Sequence, residues 1–589
     1  MTEAVRKEPG LSGFALIMSA RHDPAARILN VDLVAVLIAF LLPWSTTGVV
    51  IAVALWIIAL VPTLQMGAFL RSLKRPVCVL PIAMFALALV GTLWSEAPWG
   101  ERLYGVGPTV KLLVLPLLLY HFERSPRGSW VFVAFLASCA LLMVSSWIVA
   151  FVPDLSLKSH LSRGPYEPAS GIIVKNYIDQ GQEFVLCALA LAYPALTFRR
   201  TNKIWPALLL AAIAAGFVAN MMFVVVSRTA LATMPILLGL FALLYLQCRT
   251  VIAALGTAVL LAAVVWNVSP ALRATASKFV SDYQHTRVQN NVSGLGSRLE
   301  YWQKSLDFFV EAPVIGHGTG STRGLFEQAA VGERGAQAEV VANPHNQTLN
   351  VAVQWGVVGV IVLYAMWLLH LSFFRGEGWE TWVGLLVVAQ NIVTSLFNSH
   401  LFDFVEGWIY VLGVGVAGGM SVGARQLPSG APPSPRSSCW QAVIRQASAA
   451  RETISAMPRS SKILGGFAIP AVLLCGSLLA VNYFRVPTVD TPMAREARSI
   501  MAGLQKYHAA RGAYPILDSP LAELKEVLAK DGYLGSPSGD LSGTDNAAWY
   551  ASVNGKSYGL LFHPSGTRCL VEVGRSYIGW GERPPPCPF

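Results

Sequence analysis

A histidine, a few cations and a glycine-rich turn carry most of the chemistry this sequence can offer. His345 lies in Asn343-Pro344-His345-Asn346, just before a long apolar run. An imidazole there can act as a general base, because its ordinary pKa is close to working pH. The same residues also read as a helix start, with Asn343 as N-cap and Pro344 at the first helical position. Both readings can hold at once. Arg298 stands four residues before Trp302, so the two share a helical face that Leu306 and Phe309 continue in apolar form. A helix of this kind lying on a membrane sets its guanidinium at phosphate level, where a fork of donors suits bidentate contact. The alternative is snorkelling towards lipid headgroups. Ser227-Arg228 and Lys175-Asn176 offer two more cations. Either could neutralise an anionic leaving group or simply anchor a helix end.

Gly316-His317-Gly318-Thr319-Gly320 superficially suggests a nucleotide loop. It follows an amphipathic helix rather than a strand and lacks the G-K-[ST] ending, so that reading fails. A flexible turn that brings backbone close to a substrate fits better, with Gly316 and Gly318 as the approach points. His317 and His400 are further imidazoles with no evident partner. No spacing resembles a zinc site, and no metal or cofactor is expected.

These residues need a scaffold, and composition indicates which kind. The chain has 589 residues, 54% hydrophobic and 13% charged, against roughly 25% charged in a soluble domain. Long uncharged runs predict membrane helices. The net charge of +11 first suggests nucleic acid. Excess Lys and Arg in the cytoplasmic loops of a polytopic protein explain it better, and no nucleic-acid partner is expected. The polar opening is followed by two hydrophobic runs, which predicts no cleavable signal peptide.

Apolar runs predict spans at 31–44, 49–64, 77–94, 110–120, 130–152, 183–196, 204–226, 229–246, 251–265, 349–374, 381–396, 404–422 and 463–483. This count puts the clusters Arg71/Lys74/Arg75, Arg124/Arg127 and Arg199/Arg200/Lys203 on one side, taken as cytoplasmic. The expected fold is an all-α polytopic membrane protein of about 12–13 transmembrane helices. It carries a large external loop and a small α+β C-terminal external domain. Residues 1–30 form a cytoplasmic leader and 31–424 the membrane domain, with the chemistry-bearing loop at about 267–346. Residues 425–462 form a basic Pro/Ser-rich cytoplasmic linker, 463–484 a last span, and 485–589 the tail. In the tail, 547–552 and 557–562 read as strands about Asn554-Gly555, a strong hairpin signal, and 568–573 as another strand. Cys569 and Cys587 are the cysteines of that external tail, and an oxidising compartment permits a disulfide between them. Ionisable residues near mid-span mark transport pathways. Few are expected here, with Asp32, Glu183 and Asp403 assigned to span ends, which argues against a transporter. A structural scaffold leaves the grouping of Arg298, the glycine turn and His345 unexplained.

Arg298, Trp302, Pro313, Gly316, Gly318, His345-Asn346 and the following Gly356 and Gly359 resemble the signature region of the O-antigen ligase and polymerase superfamily. Ser227-Arg228 resembles the segment that opens it. The architecture is similar over residues 31–423, while the specific motifs fall between Ser227 and Gly359. The resemblance implies a bacterial inner-membrane glycosyltransferase, metal-independent and inverting. Such an enzyme moves a glycan from undecaprenyl diphosphate to an acceptor on the periplasmic face. It implies His345 as the base that activates the acceptor, and Arg298 and Arg228 as diphosphate ligands. Asn346, Trp302, Gly316, Gly318 and Lys175 are the expected substrate contacts. Transfer to lipid A–core leads. A polysaccharide polymerase, a pilin or protein O-oligosaccharyltransferase and, in another class, a non-catalytic transporter or scaffold remain alternatives. The tail loosely resembles a type IV pilin or pseudopilin, without an evident pilin leader before Ile463. An unrelated periplasmic appendage explains the tail nearly as well.

Overall fold

A computed structural model describes residues 23–152, 171–270, 272–273, 296–333, 335–426, most of 500–533, and 549–552, 558–562 and 569–573. The expected leader residues 1–22, the linker, the span at 463–483, the hairpin turn and Cys587 lie outside the described residues, as does the side chain of Cys569.

The helices are α1 Pro24–Leu41, α2 Thr46–Leu60, α3 Met66–Leu73, α4 Pro76–Val90, α5 Trp99–Val110, α6 Val114–Phe122 and α7 Gly128–Phe151. They continue with α8 Tyr177–Ala190, α9 Ala192–Arg200, α10 Ile204–Phe223, α11 Arg228–Tyr245, α12 Cys248–Val268, α13 Gly296–Glu311 and α14 Thr322–Ala329. After them come α15 Gln347–Phe373, α16 Trp379–Thr394, α17 Phe404–Gln426 and α18 Leu521–Lys530. Short polar residues start several of them, because a side-chain oxygen can take an amide hydrogen that the first turn leaves unpaired. Asp23 caps α1 with Pro24 behind it, Ser45 caps α2, and Asn176 accepts from both Ile178 and Asp179 at the head of α8.

Among the described residues nine helical segments are long and apolar enough to cross a membrane, and ten if the pair α3–α4, bent by 81°, counts as one. The chain is thus a polytopic membrane protein whose spans are all α-helical. Of the thirteen expected segments, those at 251–265 and 381–396 are helical as α12 and α16, but α16 has only 16 residues and some side chains of α12 lie outside the described residues. The thirteenth segment is not described. The segment expected at 110–120 is longer, running from Trp99 to Phe122 and taking Glu101 and Arg102 into a helix instead of a loop.

The chain divides into two compact units. The first comprises residues 1–278, 304–328 and 340–475, and the second 279–303, 329–339 and 476–589. In the first, α17 is the central packing partner, lying against α6 and α16. Its glycines make close approach possible: a Cβ on Gly419 would stand 2.7 Å from the Leu119 carbonyl oxygen. Lipid offers no hydrophobic drive between helices, so small residues that let backbones meet supply the attraction. The segment also buries ionisable groups, contrary to the expectation that they stay at span ends. Asp32 lies inside α1, fully buried, with His121 Nε2 at 2.7 Å and Arg127 at 3.2 Å.

In the second unit, β1 Leu517–Pro520, β2 Trp549–Ser552, β3 Tyr558–Phe562 and β4 Cys569–Val573 form an antiparallel sheet in the order β1-β2-β3-β4. Tyr550 is buried and donates to the Pro515 carbonyl at 2.8 Å. Leu524 and Leu528 of α18 are buried as well.

Candidate active site

The site is built on a helix that breaks. Within α15, Gly356 adopts φ 60° and ψ −154°, so the helix stops and restarts there. A break inside an apolar span frees backbone groups that lipid cannot satisfy. The glycine-rich turn supplies the partners. His317 and Gly318 donate their amides to the carbonyls of Val353 and Gln354, both at 2.9 Å. On the other side, Val357 and Val358 donate to Pro313 at 2.8 Å and Val314 at 3.2 Å. Thr319 pins the turn in place: its hydroxyl donates to Ala88 at 2.6 Å and accepts from the indole of Trp355 at 2.9 Å. Gly316 and Gly318 both have positive φ. A Cβ on Gly316 would stand 2.5 Å from the Gln354 carbonyl carbon, and one on Gly318 2.5 Å from Ser95 Cα. These glycines therefore bring backbone to backbone, which is a tighter demand than approach to a substrate.

His345 stands at the head of the broken helix. The N-cap of α15 is Asn346, whose side chain accepts from the Leu349 amide at 3.1 Å. Asn343, the cap expected from sequence, instead accepts the His345 amide at 2.9 Å. His345 itself has φ 54°. A branchless glycine tolerates that region, but a histidine pays strain of order 1 kcal/mol or more for it. Its Nδ1 lies 2.7 Å from Asn398 Oδ1, and Asn398 Nδ2 donates to Asp403 Oδ2 at 2.6 Å.

A chain of polar side chains joins the turn to the histidine. The Gly320 amide donates to Gln354 Oε1 at 2.9 Å, and Gln354 Nε2 donates to Asn350 Oδ1 at 2.9 Å. Asn350 Nδ2 donates to Ser399 at 3.2 Å, and Ser399 donates to Asn343 Oδ1 at 2.7 Å. The structure thus brings Gly316, Gly318, His345 and Asn346 into one framework.

Lys175 and Arg228 sit beside α8. Lys175 donates to the Leu42 carbonyl. Ser227 caps α11, so Arg228 opens that helix rather than ending the previous one. Gly181 of α8 admits Ser227, since a Cβ there would stand 2.9 Å from the serine Cβ. Asp179 and Glu183 of α8 act electrostatically on Glu406 of α17. Donor atoms of His400, Asp403 and Glu406 lie within 4.8 Å of one another, a grouping that the sequence search for metal spacing passed over. A cation already stands beside it. Lys111 donates to the Phe402 carbonyl at 2.9 Å and to that of Asp403, and is drawn electrostatically to Asp403 and Glu406.

Arg298 and Trp302 lie on α13, in the part assigned to the second unit. Its buried face is Ser297, Tyr301, Ser305 and Phe308. The stripe read from sequence, through Arg298, Trp302, Leu306 and Phe309, is one position round from it and half-buried. Burial, with Glu339 beside it, pushes the Tyr301 phenol up. Further along α13, His317 Nε2 meets the Phe308 carbonyl at 2.8 Å.

From sequence, Asn398, Lys111 and Gln354 received no role, and Asp403 only a place at a span end. The available signal was the density of Asn, Ser, His, Asp and Glu between residues 398 and 406.

Residues 213–364 match the O-antigen ligase family model. A search of curated proteins finds no match. The matched segment contains Arg228, Arg298, the glycine turn, His345 and the break at Gly356. Lys111, Lys175, Asn398 and Asp403 lie outside it.

Proposed function

We propose, on the premise that this chain is a member of the O-antigen ligase superfamily through its domain at residues 213–364, that it moves a glycan from undecaprenyl diphosphate to an acceptor hydroxyl on lipid A–core. The reaction takes place at the periplasmic face of the bacterial inner membrane, with the N-terminus cytoplasmic and residues 485–589 periplasmic. The observation that carries this reading is His345, held at 2.7 Å by Asn398 at the head of a broken helix.

The acceptor hydroxyl is a weak nucleophile. His345 takes its proton as the oxygen attacks the anomeric carbon, a contribution of order 10²–10⁴ in rate. The bond from that carbon to the diphosphate oxygen breaks on the opposite face, so configuration inverts. The electron pair leaves with the diphosphate. Arg228 and Arg298, with Lys175, stabilise that charge as it develops, without a metal.

The test is glycan transfer in a strain lacking its own ligase, wild type against His345→Ala, with lipopolysaccharide and total protein glycosylation both read. Histidine-dependent signal on lipid A–core supports the ligase. Signal on a protein band moves the assignment to a protein O-oligosaccharyltransferase, for which the pilin-like tail would then have a purpose. Longer lipid-linked chains without a new acceptor indicate a polymerase. Normal transfer by the well-expressed variant removes His345 as the base.

A further inference from the structure

We infer that Asp403, acting through Asn398, commits His345 to the tautomer with hydrogen on Nδ1 and the lone pair on Nε2. The inference rests on the proposal that His345 is the base, and it names two positioning residues for that reaction outside the matched family segment.

An ionised carboxylate only accepts hydrogen bonds. Asp403 Oδ2 is 2.6 Å from Asn398 Nδ2, so the amide must turn its NH₂ group towards Asp403. Its carbonyl oxygen then faces His345 Nδ1 at 2.7 Å. An amide oxygen cannot donate, so Nδ1 must carry the hydrogen. In a neutral imidazole the lone pair then belongs to Nε2. The orientation of an asparagine amide and the tautomer of a histidine are normally ambiguous from heavy atoms alone, and the network decides them. Here the network ends on a group with one polarity.

Lys111 secures that end. Its side chain is buried, as are His400 and Glu406, while Asp403 is half-buried; the ammonium donates to the Phe402 and Asp403 carbonyls and is drawn electrostatically to the Asp403 carboxylate. The other titratable groups in this cluster are His400 and Glu406, with Asp179 and Glu183 of α8 facing Glu406. The imidazole is thus oriented by a neutral amide rather than by a carboxylate. An amide fixes the ring and its tautomer without pulling it towards imidazolium, which suits a base that must begin neutral. Partners of this kind behind a functional histidine are typically worth about 10- to 100-fold when removed, as metal-site histidines show.

The test uses full-length protein in lipid nanodiscs with ¹⁵N-labelled histidine, the His345 resonances being those lost in His345→Gln. Wild type should show a protonated Nδ1 and a bare Nε2. Asn398→Ala should give mixed tautomers, with kcat down about 10- to 100-fold and KM within about twofold. Exchanging the pair, Asn398→Asp with Asp403→Asn, restores an acceptor for Nδ1 and a donor behind it. That variant should recover kcat above Asn398→Ala. Its carboxylate favours imidazolium, so the acid limb of its pH–rate profile should move to higher pH. A wild-type ring protonated on Nε2, or a tautomer unchanged in Asn398→Ala, overturns the inference. Full transfer by His345→Gln would instead sink the base assignment, and the resonances would still report on the tautomer.

Discussion

The Gly318 amide donates to the Gln354 carbonyl at 2.9 Å, and through that bond a turn outside the helix completes the helix. Four backbone bonds across the break at Gly356 depend on chain segments meeting without side chains between them. Substitution there should be costly for two separate reasons. At Gly356, positive φ strains any L residue, and a Cβ would stand 2.4 Å from the Val314 carbonyl. Strain of about 1–3 kcal/mol adds to overpacking of about 1–3 kcal/mol. Gly356→Ala should lower the folded fraction sharply in a detergent melt. Gly239→Ala is the control, because nothing lies within 4 Å of the added methyl. It should be neutral or stabilising by up to about 1 kcal/mol. Equal melting of the two variants would refute the role assigned to the break.

The helices were legible from apolar runs because each span must satisfy its own backbone in lipid, and that demand is local in sequence. Even the capping residues Ser45, Asn176 and Ser227 sit where short polar side chains precede such runs. The place of His345 at the head of α15 was legible because it falls directly before an apolar run. The break at Gly356 was not. A glycine in an apolar run reads as a tolerated flaw unless the distant segment that repairs it is known, and here that segment ends about forty residues earlier. Asn398 and Asp403 were hidden for the same reason, since the contact with His345 spans 53 positions. Asp32 was misread because hydropathy places a charge near the end of an apolar run but cannot show that His121 and Arg127 wait to pair it.

Arg228 opens α11 directly after its serine cap, so geometry and charge can be separated by mutation. Arg228→Lys keeps the charge and loses the planar fork. Transfer measured as kcat/KM should fall about 10- to 100-fold, equivalent to about 1.4–2.7 kcal/mol of transition-state stabilisation, with expression unchanged. Arg298→Lys should behave alike. Ser227→Ala should do the opposite, costing about 1 kcal/mol of stability through the lost cap with a smaller effect on turnover. Unchanged kcat/KM in both lysine variants would reduce the arginines to headgroup anchors.

Asp32, His121 and Arg127 form a hydrogen-bonded group on α1, α6 and the turn before α7. Removing the shared carboxylate strands its partners, so Asp32→Ala should cost about 3–5 kcal/mol. The value should fall at the low end, because Arg127 is 35% exposed and can rehydrate. Arg127→Ala removes only the more solvated partner and should cost about 1 kcal/mol. Thermal melts of the two variants test the order. A larger loss in Arg127→Ala would show that the pair with His121 is not what secures Asp32.

The tail has a core of its own, in which Tyr550, Leu524 and Leu528 are buried around an antiparallel sheet. A segment that buries its own apolar groups can be removed without stranding those of the spans. Ending the chain after residue 484 should leave membrane insertion intact and transfer to a lipid acceptor within about threefold, a change below 1 kcal/mol. If the tail recruits an acceptor instead, transfer to protein should disappear in the truncated chain while lipid transfer persists. Blots of both acceptors, beside a membrane-fraction assay of the same cells, separate these outcomes. Loss of insertion would make the tail part of the membrane fold, and it would then have to be counted among the elements that hold His345 in place.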